Sequence, residues 1–221
     1  MDLPFAIVLG MATGQRERRK QETRQAISDI ATRMFVEHGF GEVTIAQVAD
    51  AAGVAKMTVT NYFPRKEDLV FDRAEAVVRR LADVITARAP GESLLAAIRR
   101  DYAEAVARAD VTIGLSTPGF AQMIVSSPVL TSRVLEMLNE RERILGDVIA
   151  AETGTDNPQQ RLVAALLCSV PRVLSAEASR RSLAGQAREE ICALLADAST
   201  RAFDLLEPSL GNYRIRPLGG S

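Results

Sequence analysis

Tryptophan is absent, histidine occurs once, cysteine twice, and aromatic residues make up 5% of the 221-residue chain. Each shortage removes a class of function. The lone His38 ends an apolar run at "HGFG" and has no Ser or Asp arrangement around it. With no Gly-rich phosphate loop and no metal-ligand spacing either, no catalytic residue, no metal and no cofactor is expected. Cys168 and Cys192 lie in apolar helical runs without a CxxC neighbour. They read as buried thiols of a reducing cytoplasm, not as disulfide staples. No apolar run approaches the roughly 18–20 residues of a membrane span, so no membrane partner is expected. The opening "MDLPFAIVLGM" has a short apolar core behind Asp2 and is too short for a signal peptide. Met1 and Met11 are both candidate starts, the second opening a polar, basic segment. Alternating β-branched runs are missing, as are repeats with periods of about 20–50 residues.

What is present favours helix. Hydrophobic residues make up 47% and charged ones 25%, with Ala, Leu, Arg and Glu prominent. The net charge of −1 is unevenly spread. From Met11 to Lys66 nine basic residues stand against six acidic ones, a balance of +3, which leaves −4 for the rest. A basic segment on an otherwise acidic chain suits a polyanion partner for that segment alone, although a solvated helix face has the same composition.

The fold class expected is all-α, with about nine helices. The first runs from Arg16 to His38, with Ile27, Ile30, Ala31, Met34 and Phe35 on one face. Thr44 and Gln47 form a capping box for a second at Ile45–Ala52. Gly53 supplies the left-handed turn into a third at Lys56–Phe63, which Pro64 ends. Six longer amphipathic helices follow at Lys66–Arg88, Glu92–Ala109, Pro118–Ser126, Val129–Glu152, Pro158–Arg181 and Ala187–Glu207. The domains expected are a three-helix head at 11–65, a larger helical domain at 66–207, and a disordered tail at 208–221.

The stretch "VADAAGVAKMTVTNYFPRKEDL" holds two helices of about two turns each around Gly53, too short to be stable alone. With Val48, Ala49, Val54 and Val59 inward they make a helix-turn-helix supported by the first helix. The second of the pair then projects Lys56, Thr58 and Asn61 outward, at a size the DNA major groove accepts. A generic helical hairpin would have no need of that free polar face beside a basic arm.

On "HGF", "VTIAQVADAAGV" and "YFPRKEDL", the chain resembles the TetR family of bacterial transcriptional regulators. The lac repressor family shares part of this pattern, but lacks the aromatic pair before "KEDL" and carries the motif at its extreme start. The resemblance implies site roles. Thr44 would offer its hydroxyl or N–H to a phosphate, and Lys56, Met57, Thr58 and Asn61 would meet bases or phosphates. Tyr62 and Lys66 would contact phosphates, while Arg16, Arg18, Arg19 and Lys20 would follow the backbone or enter the minor groove. Ala55 departs from the Ser or Thr usual there, removing a cap worth about 1 kcal/mol and one phosphate contact. Asn61 has two readings, adenine reader or helix cap.

The family pattern further implies a homodimer on a palindromic operator, with the last two helices of each copy forming a four-helix bundle. The stripes expected there are Leu162, Ala165, Leu166 and Val173, then Ile191, Leu194, Leu195, Ala198, Ala202 and Leu205. It also implies an unknown, mostly apolar small-molecule effector among helices four to eight. Candidate lining is Tyr102, Phe120, Met123, Met137 and Cys168, each also readable as plain core. Arg172 would meet an anionic group or reach solvent. The function expected is a repressor released by its effector. A ligand-independent or activating protein of the same fold is the alternative.

Overall fold

Thr44 takes the extended conformation of an N-cap and, with Gln47, closes the expected capping box over α2 (Ile45–Ala51). Gly53 follows at φ +65°, a conformation costly for any residue with a Cβ, and turns the chain into α3 (Lys56–Tyr62). α2 rests on α1 (Phe5–His38) and against α3, whose end is tied to α1 by Arg24. The computed structural model describes residues 5–155 and 157–217, with side chains from residue 15 onward. Residues 1–4 of the apolar start and 218–221 of the expected tail lie outside it. Among the described residues there are nine α-helices and no strand. The chain divides between Arg73 and Ala74 into two compact units.

The first unit is centred on Ile27, Ala31 and Phe35 of α1, which bury against Val48, Ala49, Val59 and Phe63. The helix expected from Lys66 does not start there. Residues Lys66–Leu69 form a 3₁₀ turn, and α4 runs from Ala74 to Ala87. The cause is tertiary. A continued helix would pair the Leu69 carbonyl with the Arg73 N–H. Instead the Leu69 carbonyl accepts from the buried Ser28 hydroxyl at 2.9 Å. The Asp72 carbonyl accepts from Arg24 at 3.1 Å.

The second unit holds α4, α5 (Leu94–Ala107), α6 (Pro118–Ser126), α7 (Pro128–Thr153), α8 (Pro158–Leu183) and α9 (Arg188–Leu210). Thr117, Ser127 and Asn157 cap α6, α7 and α8, each followed by proline at the first helical position. There proline loses no hydrogen bond. α8 packs against α6, α7 and α9, while α4 meets α5 and α7 and α5 meets α9. Ile98, Leu145, Leu167, Leu195 and Phe203 are all essentially inaccessible between them. By length and composition α8 could cross a membrane, which corrects the expectation that no run approaches that length. Its Val163, Leu167, Val170 and Leu174 are buried inside the unit, the pattern of a core helix.

The expected disordered tail is also corrected as far as the description reaches. α9 continues through Pro208 to Leu210. The chain then returns to the corner between α4 and α5. There the Gly91 N–H donates to the Arg216 carbonyl at 2.8 Å and the Arg216 N–H to the Glu92 carbonyl at 3.0 Å. Arg88, only 3% exposed, donates to the Arg214 carbonyl at 3.1 Å and pairs with Glu152. Arg216 in turn donates to the carbonyls of Thr86 and Arg88 at 3.0 and 2.6 Å.

Candidate nucleic-acid interface and interior site

α3 is seated by the buried Val59 and by Phe63 just past its end, which sets its opposite side toward solvent. Lys56, Met57 and Asn61 are exposed there, and Thr58 and Tyr62 are half-buried. Met57 is 69% exposed, far more than a core methionine. Asn61 makes no side-chain hydrogen bond, and the helix closes instead through the Phe63 N–H to the Val59 carbonyl. The cap reading of Asn61 therefore falls away. Arg24 anchors the end of α3, donating to the Tyr62 carbonyl at 2.7 Å with its guanidinium 4.4 Å from the Phe63 ring centroid.

Beside Tyr62 the first unit has an open groove of about 630 Å³, lined by Arg16, Glu17, Arg19, Lys20, Thr23 and Tyr62. Arg18, the fourth basic residue of that segment, pairs along the helix with Glu22 at 3.4 Å. All of these basic residues sit on the helical α1, so the segment is a rod bearing cations and not an extended arm.

Two expected phosphate contacts are engaged elsewhere. The Thr44 N–H and hydroxyl both donate to Gln47 Oε1, at 2.8 and 2.9 Å. The Lys66 ammonium donates to the Phe40 carbonyl and lies 4.5 Å from the Phe40 ring centroid. Burial lowers its pKa, with Glu42 partly opposing. Lys66 thus ties two parts of the head together through its charge, a cation–π arrangement that favours the interior over solvent.

The interior of the second unit holds several polar groups. Arg80 is satisfied by Asp101 at 2.9 Å, Thr112 at 2.7 Å and Asp110 at 3.4 Å. Tyr102 is 3% exposed. Its ring meets Phe203 edge-on at 6.2 Å, while its hydroxyl has no hydrogen-bond partner among the described residues. Burial raises its pKa far enough that the phenol stays neutral. Cys168 is buried as expected, and burial pushes its thiol up to about 12. Met123 is buried, and Phe120 and Met137 are half-buried. Arg172 reaches solvent, the second of its two readings.

Arg141 is the residue that sequence reasoning missed. Its Nε is buried without a partner, and burial lowers its pKa, with Cys168 opposing. In the run "NERERIL" it looks like one of several solvated charges. The available signal was its helical phase, four residues from both Met137 and the buried Leu145.

The expected interface stripes divide in two. Ile191 and Leu195 are inside the unit's own core, so they are not open to a second copy. Ala165, Leu166, Leu194, Ala198 and Ala202 are half-buried, whereas Leu162, Val173 and Leu205 are 59%, 59% and 82% exposed.

Comparisons with known proteins agree with this architecture. Residues 27–72 match the model described as bacterial regulatory proteins, tetR family. The chain is 25% identical over 172 residues to the HTH-type transcriptional regulator TcmR of Streptomyces glaucescens, covering 74% of this chain and 76% of that protein. It is 35% identical over 91 residues to the HTH-type transcriptional regulator RutR of Escherichia coli, covering 41% of this chain and only 38% of that regulator. Among solved structures, Salmonella enterica GusR superposes with a TM-score of 0.54 at 19% identity, over 86% of this chain and 96% of that one.

Proposed function

We propose that this chain, a TetR-family transcriptional regulator that acts by binding DNA, is a cytoplasmic repressor that grips a palindromic operator as a homodimer and is released by a small, mostly apolar effector. The observation that carries the reading is the outer side of α3. Lys56, Met57 and Asn61 stand exposed on a helix whose other side is locked into the head. The groove of Arg16, Arg19, Lys20 and Tyr62 supports a backbone contact beside it. In this arrangement α3 enters the major groove, Asn61 reads a base edge, and the cations of α1 hold phosphates.

Dimerisation through α8 and α9 is supported by the exposure of Leu162, Val173 and Leu205 on the two helices that also pack against each other. Two-fold symmetry of the protein then sets two-fold symmetry of the operator. The effector reading is supported by the unpartnered polar groups inside the second unit. An effector that favours one arrangement of the dimer weakens operator binding by the same factor by which operator weakens effector binding, typically about 1–3 kcal/mol.

Selection from random duplex DNA tests the core of this reading, and a symmetric consensus is expected. Affinity for that consensus should fall with salt at a log–log slope of about −0.9 per phosphate contacted. Arg19→Ala should flatten the slope by about one contact, and Asn61→Ala should weaken the consensus selectively. Enrichment of no symmetric sequence, or binding insensitive to salt, would overturn the proposal.

A further inference from the structure

A charged side chain inside a protein is ordinarily paired, because an isolated charge taken out of water is costly. The second unit follows this rule with one exception. Arg80 has Asp101 and Asp110, and Arg88 has Glu152. Two residues along α7 from Arg141, and facing solvent, Arg143 pairs with Asp147 at 2.7 Å. Arg141 itself is half-buried, has no ion pair or hydrogen bond among the described residues, and has its Nε closed off from solvent. Glu140 and Glu142 flank it in sequence but are exposed, as successive helical positions require.

We propose that Arg141 is the anchor for a monoanionic, otherwise apolar small molecule held inside the second unit. The inference rests on the reading of this unit as the effector domain and names the chemistry of the effector. Arg141 is one cation left without a carboxylate of its own, which sets the charge of the ligand. The surroundings set the rest. Along α7 the same side carries Met137, Ile144 and Leu145, and the group on α8 within electrostatic reach is the thiol of Cys168.

The second orphan supports the same chemistry. The Tyr102 hydroxyl is buried, unpartnered and, as a neutral phenol, able to donate. Arg80 is in electrostatic reach of both Tyr102 and Arg141. Its own two carboxylates keep it from serving as the anion's partner. Arg80 and its two carboxylates together carry −1, so Arg141 is the cation left to meet an acid.

The test uses decanoate and naphthoate, each against its uncharged amide, with sodium chloride as the inorganic control. In calorimetric titrations of the full chain, at least one acid should bind about 10-fold or more tighter than its amide. Arg141→Gln should remove about 10- to 100-fold of acid affinity and leave the amide nearly unchanged, the range expected for a charge-assisted hydrogen bond. Tyr102→Phe should cost the acid less. Acids that bind no tighter than amides, or equally to the Arg141→Gln protein, overturn the proposal. So does a site that chloride alone saturates. A ligand-free measurement guards against misfolding: Arg141→Met should keep or raise the melting temperature, because a half-buried guanidinium with no partner is removed. A lowered value would mark Arg141 as a structural residue and also overturn the proposal. Operator binding separates the two readings. Acid binding that leaves operator affinity unchanged sinks the effector reading while the acid site stands. Failure of the wild-type protein to bind any DNA sinks the regulator reading alone.

Discussion

Ala55 shows how much one missing oxygen matters in a helix of two turns. It has the backbone angles of an N-cap, φ −67° and ψ 144°, but no side chain to accept from the first turn of α3. Thr44 does this for α2 at 3.2 Å to the Gln47 N–H. Ala55→Ser should therefore stabilise the protein by about 0.5–1 kcal/mol, read as a higher urea midpoint. An unchanged or lower midpoint would mean the end of α3 is satisfied by other means. The cap at Thr44 and the vacancy at Ala55 were both legible in the sequence, since a cap is a local matter of residue type and spacing. The true situation of Lys66 was not. Its partners, the Phe40 carbonyl and the rings of Phe35 and Phe40, come from a distant part of the chain. No local pattern announces them.

At the scale of elements, the turn after Val111–Ile113 comes very close to α8. Gly114 has φ +95°. A Cβ placed on it would stand 2.9 Å from the Ser175 Cα and closer still to the Ser175 carbonyl oxygen. Its own carbonyl accepts from the Ser179 hydroxyl at 3.3 Å, so the turn cannot simply back away without losing that bond. Gly114→Ala should cost about 2–4 kcal/mol, combining left-handed strain with overlap against helix backbone. Thermal unfolding would show this, and a wild-type melting temperature would refute it. Element positions were mostly readable where caps and prolines mark them, as at Thr117-Pro118, Ser127-Pro128 and Asn157-Pro158. They were unreadable where tertiary bonds decide. The start of α4 depends on Ser28 and Arg24, more than forty residues earlier in the chain. Likewise Arg141 could be seen as buried only once α7 had a neighbour to be buried against.

For the whole molecule, the sharpest test concerns assembly. Leu205 is 82% exposed, so a charge there disturbs no contact within the chain. It lies on the same side of α9 as Leu194 and Ala198. In the proposed dimer Leu205→Asp buries an unpaired carboxylate, and dimerisation should weaken by at least about 30-fold, the effect of a 2 kcal/mol hot spot. Light scattering should find folded monomers with operator affinity reduced alongside. A dimeric Leu205→Asp protein would place the interface elsewhere. Leu194→Asp is the poorer probe, because Leu194 also packs on its own core and the variant would mix unfolding with dissociation.

The return of residues 213–216 to the corner between α4 and α5 bears on the order in which the molecule is made. The head is a compact unit with its own core, complete in sequence by Arg73. The second unit is not closed until Arg216 has left the ribosome, since Gly91, Glu92 and Arg88 wait for partners supplied there. At about 5–20 residues per second, these two moments are separated by roughly 7–30 s. Throughout that interval the nascent chain carries a finished head on an unfinished body. In the proposed dimer the pairing surfaces of α8 and α9 are the last to form, so each copy would first meet DNA singly and therefore weakly. Pairing by these helices, and with it the proposed grip on an operator, would wait until both have emerged.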